Sequence, residues 1–337
     1  MLAREGDLIE TENHVIFDVK GSIHPPNRII AFPRYIPSSQ GTRRRQENLY
    51  GKIYSFRERF RFLEQNMPDL IVYDAVFDEI LCEVPNGIVV EHYDPIEKLR
   101  LLRKTNNLET LERKVVQLTD ELKEESGIAW SSIGISGSVL VGLHTVKSDI
   151  DPIVYGVENS RRAYEALEAL LKDDASNFKQ YTREELRGLF DFRSKDTIMS
   201  FEDFARVERR KAFQGMFEGT DYFIRFVKDW NQLTEQYGDI RYKNVGYAKI
   251  KASIADDSEA LFTPCTYRIE NVTVAEGTKL EPILEIVSFR GRFCEQARKG
   301  ETIIAQGKVE LVTSKREEQA HYRIILGNNL SDYMVLS

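Results

Sequence analysis

The chain has 337 residues, 42% of them hydrophobic and 30% charged, with a formal net charge of −7. That composition belongs to a folded protein of two or three domains, not to a disordered chain. No apolar run approaches the ~18 residues that span a bilayer, and the acidic start "MLAREGDLIETENHVIF" lacks the basic-then-apolar pattern of a secretory signal. A cytoplasmic protein without a membrane partner is therefore expected, and its acidic balance argues against gripping nucleic acid over the whole surface. Cys82, Cys265 and Cys294 are far apart and show no zinc or disulfide spacing, so they read as buried apolar residues in a reducing compartment.

The first ninety or so residues read as β-rich. "LIETENHVIFDVKGSI" and "NRIIAFPRYI" are β-branched and aromatic runs separated by the turn signal "HPP". "PSSQGTRRRQENLYG" has no apolar periodicity and is expected to be an exposed loop, in which Arg43, Arg44 and Arg45 offer a local contact for an RNA backbone. "SFRERFRFLEQN" follows with a Ser cap and helical spacing, and "DLIVYDAV" and "GIVVEHY" return to strand character.

From Asp94 the pattern is helical. Pro95 follows its cap at the first helical position. A longer helix then repeats Leu108, Leu111, Val115, Leu118 and Leu122 as a packing stripe before Ser126 and Gly127. After the stretch "GISGSVLVGLHTVKSDIDPIVYG" come three capped helices, "ENSRRAYEALEALLKDD", "TREELRGLFDF" and "SFEDFARVERRKAF", and the strand-like "GTDYFIRFVKDW". Beyond Tyr237 short strands and turns recur, with Asp256-Asp257-Ser258 read as a turn, and predict a small barrel or curled sheet.

The stretch from Gly134 to Gly156 carries the chemistry. Side chains two apart on a strand share a face, so Asp149 and Asp151 point the same way and Ile150 points to the other. Two adjacent carboxylates repel unless they share a proton or bind a cation. A hard divalent ion suits them, because Mg²⁺ takes one or two carboxylates and completes its shell with water and substrate phosphates. Gly137 allows a tight turn and close approach of a phosphate. Ser138 starts a short apolar helix whose free N–H groups and hydroxyl suit an anion.

These residues resemble the signature of the DNA polymerase beta-type nucleotidyltransferase superfamily: an apolar residue, Gly-Ser, about ten residues, then Asp-apolar-Asp-apolar. Ten residues separate Ser138 from Asp149. The whole chain is similar to uncharacterised archaeal nucleotidyltransferase-domain proteins, while the superfamily match covers only about Ile128 to Trp230. The resemblance implies an ATP or other NTP substrate bound with Mg²⁺, or Mn²⁺ in its place. Nucleotidyl transfer to a hydroxyl then releases pyrophosphate. It implies that Gly137 and Ser138 hold the triphosphate and that Asp149 and Asp151 ligate metal. It also implies a third carboxylate on a later strand, which serves as ligand and assists deprotonation of the acceptor; Asp221 is the choice, with Asp239, Asp256 and Asp257 as rivals. Pro152 departs from the aliphatic residue of the pattern and is unexpected inside a central strand.

Other basic residues compete for phosphate roles. Arg225 and Lys228, on or after the third strand, are candidate phosphate contacts. Arg209, Arg210 and Lys211 read first as a helix C-terminus favouring the macrodipole, and His144 as a structural or surface histidine. The expected architecture is α+β and multidomain: an N-terminal β-rich module (1–94), a helical connector (95–126), a polymerase-beta-type nucleotidyltransferase core of mixed sheet and helices (127–236), and a C-terminal small β-barrel-like module (237–337). The acceptor stays open among RNA, protein and metabolite. The competing reading is a catalytically weak nucleotide-sensing or RNA-binding regulator on the same fold.

Overall fold

Ser55, Asp94, Thr182 and Ser200 begin helices in the way their side chains predict. The structure is a computed structural model that describes residues 1–194, 199–315 and 319–337. It is a mixed α+β fold with several sheets, and seven α-helices lie among the described residues. Ser55 accepts from the Glu58 N–H and Glu58 accepts from the Ser55 N–H, a reciprocal cap on α1 (Phe56–Asn66). Asp94 accepts from the Ile96 and Glu97 N–H groups at the start of α2 (Pro95–Leu102). α3 (Thr110–Ser126) buries Leu111, Val115, Leu118 and Leu122 and stops at Gly127, whose φ of 64° suits glycine.

Compactness divides the chain into two units. The first comprises Met1–Val72, Ile80–Gln180 and Ala212–Thr234. It holds β1 (Leu8–Thr11), β2 (Ile16–Val19), β3 (Arg28–Pro37), β4 (Arg43–Arg45), β5 (Asn48–Lys52) and β8 (Val89–Tyr93), paired in the order β4-β5-β3-β2-β1-β8. β6 (Ile71–Asp74) precedes β7 (Glu79–Pro85), which pairs with β3 through Ile29 opposite Val84. The Arg43–Arg45 triplet is therefore strand β4, not a loop. Pairing with Asn48–Tyr50 supplies the order that its own composition does not suggest.

A second sheet of this unit orders β9 (Ile133–Ile135), β10 (Pro152–Tyr155) and β14 (Arg225–Val227) with β10 central. α4 (Gly137–Leu140) links β9 to the loop before β10, and α5 (Val157–Leu170) follows β10 and packs on α3. β11 (Phe178–Lys179), β12 (Gln214–Phe217) and β13 (Thr220–Phe223) form a third sheet. The segment read as one strand from Gly219 is thus two. It leaves β12 at Ile224, whose N–H donates to Phe213, and then joins β10.

The boundaries expected at 94 and 126 are not divisions of this unit. Leu8, Ile16, Tyr35 and Tyr50 share a hydrophobic cluster with Leu140, Val141 and Leu143 of the α4 region. Gly134 on β9 lies so close to α2 that a Cβ there would come 2.6 Å from Pro95 Cβ. Long-range apolar packing merges what composition along the chain separates.

The second unit takes Tyr73–Glu79, Tyr181–Lys211 and Glu235–Ser337. α6 (Arg183–Arg193) and α7 (Phe201–Glu208) bury Leu186, Phe201, Phe204 and Ala205, with the Phe190 ring edge-on to both phenylalanines. β15 (Ile240–Glu259), β16 (Cys265–Gly277), β17 (Ile283–Ser288), β18 (Thr302–Ser314), β19 (His321–Leu326) and β20 (Tyr333–Leu336) make a barrel-like sheet. The pairings run β15–β16–β17–β19–β18 and return to β15, with β17 and β19 parallel. β15 serves two neighbours by curling, and the register shifts along it mark where it bends. It runs through Asp256 and Asp257, which are strand residues and not a turn. No helix among the described residues is long and apolar enough to cross a membrane.

Candidate active site

β9 delivers the chain to a tight turn. The Ser136 N–H donates to the Asp151 carbonyl (2.8 Å), and the Ser136 hydroxyl donates to the Gly6 carbonyl (2.6 Å). Gly137 then takes φ 63° and α4 begins. Ser138 is 1% exposed, and its Oγ has no hydrogen-bond partner. A buried hydroxyl without a partner is uncommon in a native fold and calls for a ligand or an ordered water.

Asp149 and Asp151 flank Ile150, which is fully buried, so the pair shares the opposite face. The Ile150 N–H donates to the Asp221 carbonyl, and the Phe223 N–H donates to the Ile150 carbonyl, both at 2.9 Å. Pro152 does not slip this strand. Ile150 faces Tyr222 and Ile153 faces Arg225, the same offset of 72 residues (222 against 150, 225 against 153). The proline starts β10, where a missing N–H interrupts the parallel ladder between those two pairings and leaves its register intact.

Burial, and then the Asp149 charge, push Asp151 up to about 7, against the opposing effects of Lys52, Arg225 and Arg34. The Asp151 carboxylate also touches the turn: a Cβ on Gly137 would lie 1.9 Å from Asp151 Oδ2. Thus the structure brings Gly137, Ser138, Asp149, Asp151 and Arg225 to one place. Arg225 reaches it across the β10–β14 pair and donates to Glu5 Oε1 at 2.5 Å.

The other candidates are placed differently. The Asp221 backbone borders Ile150, but among the described residues no three His, Cys, Asp or Glu side chains are grouped to hold one metal ion. Asp221 therefore does not close a three-carboxylate shell here. Lys228 follows the far end of β14, where Gly156 bonds to Val227, some five residues past Asp151 or about 16 Å along a strand. His144 binds Glu109 (3.0 Å).

In the second unit, Asp239 approaches Lys315 (3.8 Å) and Asp256 accepts from Ser258. Arg209 caps the Ala205 carbonyl, Arg210 grips Glu301 (2.6 and 2.8 Å), and Lys211 is buried against Glu208 (2.6 Å). The basic run at the end of α7 is structural.

The arginine triplet is also mostly engaged. Arg43 donates to the Leu143 carbonyl (2.5 Å) and to Ser148 Oγ (3.3 Å), while Arg45 binds Glu10 (2.7 Å) and the Tyr93 hydroxyl. Strand alternation leaves Arg44 as the exposed member.

Sequence reading missed three residues beside the carboxylates: Arg34 and Tyr35 on β3, and Lys52 on β5 directly opposite Tyr35. Burial and Arg34 push the Lys52 ammonium down, while Asp149 and Asp151 oppose that shift. Burial pushes the Tyr35 phenol up, and both aspartates add to it. Behind them, burial alone would raise Asp18, but Lys20, Arg59, Arg34 and Arg225 together hold it well below the usual carboxylate range. The only local sequence signal is a basic or phenolic residue on a strand, which is too common to single out.

The donor set fits one hard divalent ion: two carboxylates on one face, one of them raised by burial and by the charge of the other, beside the turn with its unpartnered serine hydroxyl. Mg²⁺ needs no more protein than that when substrate phosphates and water complete its shell.

No family model matches the chain, and no solved structure matches it. It is 32% identical over 345 aligned residues, covering 97% of this chain and 96% of the relative, to an uncharacterised protein, MJ1086, of Methanocaldococcus jannaschii. The chain belongs to the family of that archaeal protein.

Proposed function

We propose that this protein is a divalent-metal-dependent nucleotidyltransferase that transfers NMP from an NTP to an acceptor hydroxyl. The observation that carries the reading is the contact of the Asp151 carboxylate with Gly137, in the Gly-Ser turn that leaves Ser138 Oγ buried and unpartnered. Asp149 and Asp151 would hold Mg²⁺ or Mn²⁺, and Gly137 and Ser138 would meet the triphosphate. When bound, the ion would supply charge neutralisation at the phosphates. In the reaction the acceptor oxygen bonds the α-phosphorus, the bond from that phosphorus to the pyrophosphate oxygen breaks, and the hydroxyl proton is released. The chain's part is to align the triphosphate and to oppose its charge with Lys52, Arg34 and Arg225. The acceptor class, RNA, protein or metabolite, stays open, and the engaged arginine triplet adds nothing in favour of RNA.

A second reading, a nucleotide sensor without transfer, is favoured by one observation: no third acidic group joins the pair among the described residues. Incubation with α-labelled NTPs, Mg²⁺ and a cell extract separates the two. Label on a discrete acceptor, lost in Asp149→Ala/Asp151→Ala, supports transfer. Label that persists in the double variant removes the site assignment, and nucleotide binding with no transfer to any acceptor class leaves the sensor.

A further inference from the structure

The cations on and beside the sheets of the first unit include two kinds. Arg225 has Glu5 (2.5 Å), Lys20 has Asp18 (2.8 Å), and Arg45 has Glu10 (2.7 Å). Lys52 and Arg34 have no carboxylate within ion-pair distance among the described residues, although both are half-buried. Arg34 donates to the Ile53 carbonyl (3.2 Å), and the Lys52 ammonium makes no hydrogen bond among the described residues. Both lie against the Tyr54 ring, at 5.2 and 5.0 Å from its centre, which holds the two positive charges near one another. A half-buried cation that no carboxylate touches is costly.

Tyr35, opposite Lys52, adds an independent sign. It is 1% exposed, and its hydroxyl has no partner. Asp149 and Asp151 act electrostatically on both Tyr35 and Lys52, so these groups lie within electrostatic reach of the carboxylates. Tyr35 also packs in the cluster that contains Leu140, Val141 and Leu143, on the side of the Gly-Ser turn. Two cations without carboxylate partners and a buried unpartnered hydroxyl match a ligand that brings several anionic acceptor oxygens.

We propose that the N-terminal sheet carries the subsite for the terminal phosphates of the nucleotide, with Lys52 and Arg34 binding β- and γ-phosphate oxygens and the Tyr35 hydroxyl donating to one of them. The subsite makes the protein select triphosphates over monophosphates. This rests on the nucleotidyltransferase reading for the position of the α-phosphate, but the cation subsite itself needs no metal.

Titration calorimetry on the full chain tests it, with inorganic tripolyphosphate in EDTA and with ATP and AMP in Mg²⁺. The wild type is expected to bind tripolyphosphate without metal and to prefer ATP to AMP by about tenfold or more, the scale of one to two charge-assisted hydrogen bonds. Lys52→Met should lower tripolyphosphate affinity about tenfold and bring the ATP-to-AMP ratio toward one while AMP affinity holds, and Lys52→Arg should restore most of the ratio. If Lys52→Met melts early, Arg34→Met carries the same measurement. An unchanged ratio in folded Lys52→Met and Arg34→Met overturns the subsite. A wild type that transfers label but binds ATP and AMP alike overturns the subsite and leaves the transferase reading standing. A wild type that binds tripolyphosphate through Lys52 but never transfers label supports the subsite and removes the transferase reading.

Discussion

The Asp151 carboxylate rests against the Cα of Gly137, so close that a methyl group there would lie 1.9 Å from Oδ2. Gly137 also has φ 63°, a region that L side chains rarely adopt. The glycine is required twice, by its own backbone and by the carboxylate it faces. Gly137→Ala is expected to destabilise the fold by about 2–3 kcal/mol and to displace Asp151. Urea unfolding reads the first effect, and loss of the Mg²⁺-induced rise in melting temperature reads the second. A variant as stable as wild type, with metal binding intact, contradicts the geometry.

On the proposed reading, Asp149→Ala and Asp151→Ala should each lower nucleotidyl transfer by at least about 10²–10³-fold, because each would remove one of the two carboxylates offered to the ion. Asp221→Ala should act more weakly, since its carboxylate does not join the pair. Initial rates of label transfer from α-labelled NTP, measured at saturating Mg²⁺, rank the three. An Asp221 variant as inactive as the other two would show that the acidic shell is completed by a rearrangement on substrate binding.

The Gly-Ser turn and the aspartate pair were legible because their signal is local: a glycine, a serine and a two-residue spacing mean the same thing in any strand-turn-helix setting. The caps at Ser55, Asp94, Thr182 and Ser200 were legible for the same reason. Lys52, Arg34 and Tyr35 were not, because their place beside the pair depends on the strand order β4-β5-β3-β2-β1-β8 and on packing against α4, both set by contacts between distant parts of the chain. β7 was missed, although "EILCEVP" pairs with β3, since its charged residues blur the alternation. The arginine triplet failed similarly: three like charges read as a loop until Glu10 and the tyrosines that hold Arg45 are brought to it.

Lys211 and Glu208 give a test confined to the second unit. Lys211 is buried and donates to Glu208 (2.6 Å), Gln296 Oε1 (3.0 Å) and the Arg292 carbonyl (2.8 Å). Glu208 also accepts from Arg193 at 2.5 Å. Replacing the glutamate takes one carboxylate from Lys211 and Arg193 at once, whereas removing the lysine leaves Glu208 with Arg193. Glu208→Gln should therefore cost more than Lys211→Met, with the former at about 3–5 kcal/mol. Urea unfolding of both variants checks the ranking, and a reversed order would mean that Arg193 draws little from Glu208.

The raised Asp151 makes stability depend on pH with a definite sign. Its pKa lies at about 7 in the folded chain, above the ordinary 3.8 of an aspartate, through burial and the Asp149 charge. The folded state thus binds this proton more tightly than the unfolded state. The stabilising contribution is full below about pH 4 and is lost as pH rises through 7. Asp151→Asn should melt above wild type by about 2–6 °C at pH 8 in EDTA, since the side chain keeps some contact with water, and should gain nothing at pH 4. Added Mg²⁺ should raise the wild-type melting temperature far more at pH 8 than at pH 5, because the ion and the proton compete for the same carboxylates. Thermal melts at these pH values, with and without Mg²⁺, measure all of this. Equal Mg²⁺ shifts at both pH values would mean that the ion binds elsewhere than at Asp149 and Asp151.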